Sequence, residues 1–331
     1  MTDSFIRHLA CMGCGHAQDD MSTALRCERC GHYMQARYDL DRAAGAIDRD
    51  AITASHGGLW RFRRLLPVRD TAAILSLAEG GTPLLPSRQI GASLGMRNLH
   101  FKDLSRNPTG SFKDYSASTC VSKARETAVR GIVLVSGGNG SSAFAAYCGV
   151  AGIPFHAVTL PGSYDAMRVQ LAVYGAIDHR AEGTSVEAGR LARRLAEEHG
   201  LIDAGVPANP YRVEGKKVIG YEIAEALGWK APDRIVCPTA GGTGIMALYK
   251  GFTELMALGW VDRMPALDCI QAESCRPIVD AWRTGEPMKG AERPDSIAVG
   301  LLSAKPEAGP HVVDIMRRTG GAGTIVSDDE I

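Results

Sequence analysis

The chain has 331 residues, 45% of them hydrophobic and 22% charged, with a formal net charge of zero and a pI near 7.1. This is the composition of a globular protein, long enough for about two domains. No basic block argues for nucleic acid, no apolar run approaches the roughly 18 residues of a membrane span, and Met1 to Ala10 lacks the apolar core of a secretory signal.

The first feature along the chain is a C-x2-C-x12-C-x2-C pattern formed by Cys11, Cys14, Cys27 and Cys30. Two such knuckles can present four thiolates to one ion, which suits a tetrahedral structural zinc. Gly15 and Gly31 follow the second cysteine of each pair, as in metal knuckles, and His16 and His32 are not needed as ligands. A ribbon without metal and a set of free thiols are the alternatives. The other five cysteines, Cys120, Cys148, Cys237, Cys269 and Cys275, are scattered singly and read as small core residues. With no secretory signal, a cytoplasmic location is expected, with thiols or metal ligands rather than disulfides.

Residues 41 to 78 read as helical, and Glu79 to Leu84 (EGGTPL) as a turn leading into an apolar run. Strands and helices then alternate. Strands are predicted at 99–101, 131–136, 155–160, 234–238, 267–271 and 323–326. Helices are predicted at 112–129, 141–150, 167–174, 185–199, 218–227 and 245–258. Alternation of this kind implies α/β architecture with mostly parallel sheets and right-handed crossovers. Ser327, followed by acidic residues, reads as a helix N-cap, so the C-terminus is expected to be truncated.

Three segments carry candidate chemistry. Ser136 to Ser142 (SGGNGSS) and Thr239 to Gly244 (TAGGTG) are glycine turns that each follow a buried strand and open a helix. Backbone N–H groups in such a turn can cradle a phosphate, although tight turns also use glycine for geometry alone. Neither turn is a P-loop, because no Lys-Ser or Lys-Thr follows. In the third segment, Asn107 to Asp114 (NPTGSFKD), Lys113 sits at a helix start, where the dipole disfavours a cation. A neutral amine there is what a Schiff-base lysine requires; an exposed first-turn lysine is the plainer reading.

Read in order, these pieces resemble threonine synthase and its relatives among the fold type II (tryptophan synthase β-like) pyridoxal-phosphate enzymes. The resemblance runs from the cysteine ribbon through EGGTPL, FKDLSRNPTGSFKD, SGGNGSSA, NPYRVEGKKVIGYEIAEALGW, PTAGGTGIMALYKGF and QAESCRPIV to GTIVSDDEI. It implies a zinc-ribbon-like segment at 1–40, a large cofactor-binding domain at 41–98 and 205–331, and a small domain at 99–204. It also implies pyridoxal 5'-phosphate as cofactor, a structural zinc on Cys11, Cys14, Cys27 and Cys30, a small amino-acid substrate, and a homodimer or a monomer. Lys113 would hold the cofactor as an internal aldimine and shuttle protons. Asn139 would face the ring hydroxyl, and Ala240, Gly241, Gly242, Thr243 and Gly244 would bind the phosphate. Ser136, Gly138, Gly140 and Ser141 would hold the substrate carboxylate, and Lys102, Ser111 and Arg190 a substrate phosphate. The implied reaction converts O-phosphohomoserine and water to threonine and phosphate.

The sequence departs from the family pattern at several points. Tyr115 stands where arginine is usual, Thr184 where asparagine is usual, and glycines flank Asn139. The residue facing the pyridine nitrogen is expected beyond residue 331. These departures keep two rivals in view: β-replacement or ammonia-lyase chemistry on another amino acid such as phosphoserine, as in cysteate synthase, and a catalytically silent cofactor-binding homologue.

Overall fold

The computed structural model describes residues 3–55, 57–163 and 165–331. A three-stranded antiparallel sheet opens the chain, with Ile6–Cys11 between Ala17–Gln18 and Met34–Tyr38. The 41–78 stretch is more broken than its pattern predicts. Helices Leu40–Ala46 and Arg49–Ala54 are followed by 3-10 turns at Leu59–Leu65 and Thr71–Ala73. Asp39, Asp48 and Asp70 each accept backbone N–H bonds that start a new short element, so the chain restarts instead of extending.

Leu84–Pro86 and His100–Lys102 form a two-stranded antiparallel pair, and two parallel sheets carry the remaining strands. One has the order Ile177–Arg180, Phe155–Thr159, Ile132–Val135, Ile202–Asp203. The other pairs Arg234–Pro238 with Ala266–Ala272 and that with Gly323–Val326. Both strand-to-helix glycine turns fall where predicted: Asn139–Ala151 follows Ile132–Val135, and Thr243–Ala257 follows Arg234–Pro238. Helices Pro277–Thr284 and Gly309–Thr319 lie where no element is predicted, and Ser327 opens a turn with a reciprocal Ser327–Glu330 capping pattern.

The largest difference lies in the helix predicted from Val218, which spans Tyr211–Ala226. Its first turns hold Arg212, Glu214, Lys216 and Lys217, a string that reads as a solvated segment, yet all four side chains are buried. This helix is the centre of the molecule. A Cβ on Gly215 would stand 1.9 Å from the Tyr115 carbonyl oxygen of the Lys113–Glu126 helix. One on Gly251 of the Thr243–Ala257 helix would stand 2.6 Å from the Lys217 carbonyl oxygen. Glycine at these two points lets three helices touch backbone to backbone, and the starts of the Lys113 and Thr243 helices both come near Lys216, whose Nζ is 2.9 Å from Thr243 Oγ1 and 5.3 Å from the centre of the Phe112 ring.

The ribbon is built into this core. Tyr38 donates to Glu214 at 2.8 Å, and Lys250 donates to the Ala36 carbonyl at 2.8 Å. Glu214, Lys217, Lys250 and Glu254 form a closed buried network, with Lys217 2.7 Å from Glu214 and 2.9 Å from Glu254. Each charge meets an opposite one, the condition under which buried charges are tolerated. A second tie runs from Asp20 to Lys123 at 3.0 Å and to Arg69 at 2.6 Å.

Candidate active site and metal centre

Lys113 is the first residue of the Lys113–Glu126 helix. Ser111, buried just before it, accepts the Lys113 backbone N–H at 3.3 Å, and Asp114 closes the Pro-Thr-Gly turn by accepting from the Thr109 hydroxyl and N–H. The Lys113 ammonium lies over the Phe112 ring at 3.6 Å. Burial and then the nearby Arg212 guanidinium, against an opposing pull from Cys237, together bring its amine down to about 7. Burial is thus the main cause that makes the amine available in neutral form. Asp114 rises to about 6, chiefly through burial.

Across from Lys113, the Thr243–Ala257 helix begins at Gly242 with no side chain capping its first N–H groups. Gly242 has φ +87°, and a Cβ there would meet Val312 at 2.5 Å. Gly241 faces open space, with nothing within 4 Å of where a Cβ would sit. Uncapped N–H groups beside a clear volume form a seat for an anionic oxygen cluster. Lys216 reaches this loop: its Nζ donates to Thr243 Oγ1 at 2.9 Å. The group Ala240 to Gly244 thus fits a phosphate.

The second glycine turn makes a similar mouth. Gly138 precedes Asn139–Ala151 without a side-chain cap, and no atom lies within 4 Å of its ideal Cβ. Ser136 Oγ accepts the Gly138 N–H at 3.4 Å, and Ser141 donates to the Ser136 carbonyl at 2.5 Å. Ser136, Gly138, Gly140 and Ser141 are therefore brought together, while Asn139 is exposed at the first helical position.

Two cations are engaged elsewhere. Lys102 is nearly buried, and its Nζ sits 2.6 Å from Glu222 Oε2. Tyr115, which stands where the family has arginine, donates to the same carboxylate oxygen at 2.8 Å. Arg190 is exposed and pairs at 3.7 Å with Glu187 on its own helix. Thr184 caps that helix and forms a capping box with Glu187. Lys102 and Arg190 thus have acidic partners of their own, and no contact joins either to Ser111.

Sequence reasoning passed over Lys216, Arg212, Cys237 and Glu222. The available signal was the string Arg212, Glu214, Lys216, Lys217 placed ahead of an apolar helix; charges that close to a core need partners.

At the ribbon, the Sγ atoms of Cys11, Cys14, Cys27 and Cys30 all lie within 4.8 Å of one another. Cys11 Sγ is 3.4 Å from Cys30 Sγ, and Cys14 Sγ 3.7 Å from Cys27 Sγ. Gly15 and Gly31 take φ +72° and +71°, turning each knuckle back on itself. The backbone N–H of Cys14, with that of Gly13, draws the Cys11 thiol down to about 6. Four convergent sulfurs fit a tetrahedral metal ion.

Comparison with known proteins finds relatives over most of the chain. Residues 75–331 match the family described as "Pyridoxal-phosphate dependent enzyme". The threonine synthase of Methanocaldococcus jannaschii is 34% identical over 97% of this chain and 79% of its own length. That of Methanosarcina acetivorans is 34% identical over 98% and 79%. That of Mycobacterium tuberculosis is 33% identical over 84% and 76%. Among solved structures, maize serine racemase superposes with a TM-score of 0.66 at 21% identity, covering 75% of this chain and 72% of that one. The processed form of threonine deaminase isoform 2 from Solanum lycopersicum gives 0.62 at 19%, over 75% and 69%; these two show the shared fold. The chain belongs to the threonine synthase family of fold type II pyridoxal-phosphate-dependent enzymes.

Proposed function

We propose that the protein is a threonine synthase-like lyase that converts O-phosphohomoserine and water to threonine and phosphate. The observation that carries the reading is the half-buried Lys113, its amine lowered to about 7, at a helix start, together with an uncapped glycine turn at Gly241–Gly242. The similarity to threonine synthases over nearly the whole chain supports the choice of reaction. When bound, pyridoxal phosphate supplies an electron sink for charge developing on the substrate carbons. Ala240 to Gly244 would hold its phosphate, Asn139 its ring hydroxyl, and Lys113 would hold it covalently and carry protons at Cα. Ser136, Gly138, Gly140 and Ser141 would orient the substrate carboxylate.

A second reading rests on a specific observation. Lys102 and Arg190, the cations assigned to a substrate phosphate, are paired with Glu222 and Glu187, and Tyr115 replaces a further cation. This arrangement favours an amino acid with a different leaving group, handled by β-replacement or ammonia-lyase chemistry. The experiment is a product assay on the cofactor-loaded protein. Equimolar threonine and phosphate from O-phosphohomoserine supports the first reading. Turnover of phosphoserine or an unphosphorylated hydroxy amino acid, without threonine from O-phosphohomoserine, supports the second. A visible cofactor band without any turnover leaves a silent homologue.

A further inference from the structure

Lys216 and Lys217 are neighbours in sequence, and both are buried. Lys217 is held by two carboxylates, Glu214 and Glu254. Among the described residues, Lys216 has no carboxylate partner; its side-chain hydrogen bond is to Thr243 Oγ1 at 2.9 Å. It lies close enough to Arg212 and Lys113 for their charges to bear on it. Neither of those cations is paired with a carboxylate among the described residues, and the buried Nε of Arg212 has no hydrogen-bond partner. Three basic side chains therefore converge on one region, and among the described residues none of them is in an ion pair with a carboxylate. A buried ammonium left in this state is costly, and the open space at Gly241 lies in the same turn as Thr243, which Lys216 touches.

We propose that Lys216 is a charged ligand of the cofactor phosphate, which rests on the reading that the Ala240–Gly244 turn seats pyridoxal phosphate. Its Nζ supplies the positive charge that the uncapped helix N-terminus offers only as a partial one. In this protein the phosphate is then held by a formal ion pair as well as by backbone N–H groups, and the site selects phosphorylated over unphosphorylated pyridoxal. Burial and the neighbouring Arg212 and Lys113 push the Lys216 amine well down, and a phosphate beside it would oppose that shift.

The same chemistry would suit a substrate phosphate, and the test separates the two sources. Apo-protein of the wild type, Lys216→Gln and Lys216→Arg is titrated with pyridoxal phosphate and with pyridoxal, with circular dichroism to confirm folding. The expected result is a Lys216→Gln loss of about ten- to hundredfold in pyridoxal phosphate affinity, the scale of a lost charged hydrogen bond. Pyridoxal affinity should change less than about twofold, the shift expected when no such bond is involved, and Lys216→Arg should keep most of the preference. Equal losses for both ligands, or none, would overturn the assignment. So would an unchanged cofactor affinity with a raised KM for a phosphorylated substrate. If Lys216→Gln does not fold, the wild type decides: inorganic phosphate must strengthen pyridoxal binding, and no effect counts against the proposal. A wild type that binds neither vitamer overturns the cofactor reading itself, a result distinct from a lost preference.

Discussion

Lys102 and Glu222 form a buried ion pair with Nζ and Oε2 2.6 Å apart. The same carboxylate accepts from Tyr115 and, through its other oxygen, from the Gly81 backbone N–H. It thus ties the EGGTPL turn, strand His100–Lys102 and the central helix to one point. Glu222→Gln leaves the Lys102 ammonium buried without its counter-charge. The expected cost is about 3 kcal/mol in urea unfolding, whereas Lys102→Met combined with Glu222→Leu should recover most of it. A single variant as stable as the wild type would mean the pair is solvated.

The lowered Lys113 amine predicts a pH profile for cofactor attachment. The neutral amine is the reactive form, and its fraction grows as pH rises toward about 7. The attachment rate to apo-protein, followed by visible absorbance, should climb nearly tenfold per unit below about pH 6 and level off above about 8, as a single titration centred near 7 requires. An ordinary lysine would keep climbing past pH 9. Lys113→Ala should abolish the band at every pH.

Gly241 and Gly242 should separate binding from folding. Gly242→Ala forces a side chain into a left-handed conformation and against Val312, and should cost about 2 kcal/mol or more. Gly241→Ala has room for its methyl in the apo-protein, so its thermal midpoint should match the wild type while pyridoxal phosphate affinity falls at least about tenfold, since the methyl stands where an oxygen must come close to backbone. Equal stabilities for the two variants would show that the turn is not rigid.

Elemental analysis of the purified protein should find one zinc per chain, removed by Cys14→Ser. Because Tyr38 and Ala36 bond directly to the central helices, the loss should reach beyond the ribbon. A fall of about 5 °C or more in the thermal midpoint of the whole protein is expected, in one transition rather than two. A ribbon that melts separately would contradict this coupling.

The alternation of strands and helices, both glycine turns and the cysteine knuckles were legible because each rests on a local pattern: a period, a positive φ, a spacing. Arg234–Pro238 and Ser185–His199 emerge with their predicted bounds. The start of the Tyr211–Ala226 helix was illegible because its polarity follows from tertiary pairing. Nothing within the string Arg212 to Lys217 says that Glu254 and Tyr38, from other parts of the chain, will meet it. For the same reason Lys102 read as a candidate ligand of a substrate phosphate, with no sign of an acidic partner. Its partner lies 120 residues away, and a sequence window sees the charge without the counter-charge.

Consecutive residues on a helix point about 100° apart around its axis. On the central helix this sends Lys216 toward the Thr243 turn and Lys217 into the network that receives Tyr38. The roll of the helix is thereby fixed by the ribbon. A few degrees of rotation that suited one lysine would pull the other off its partners. The ribbon therefore behaves as an alignment key: seated at one side of the helix, it sets the bearing of an ammonium group that faces the other.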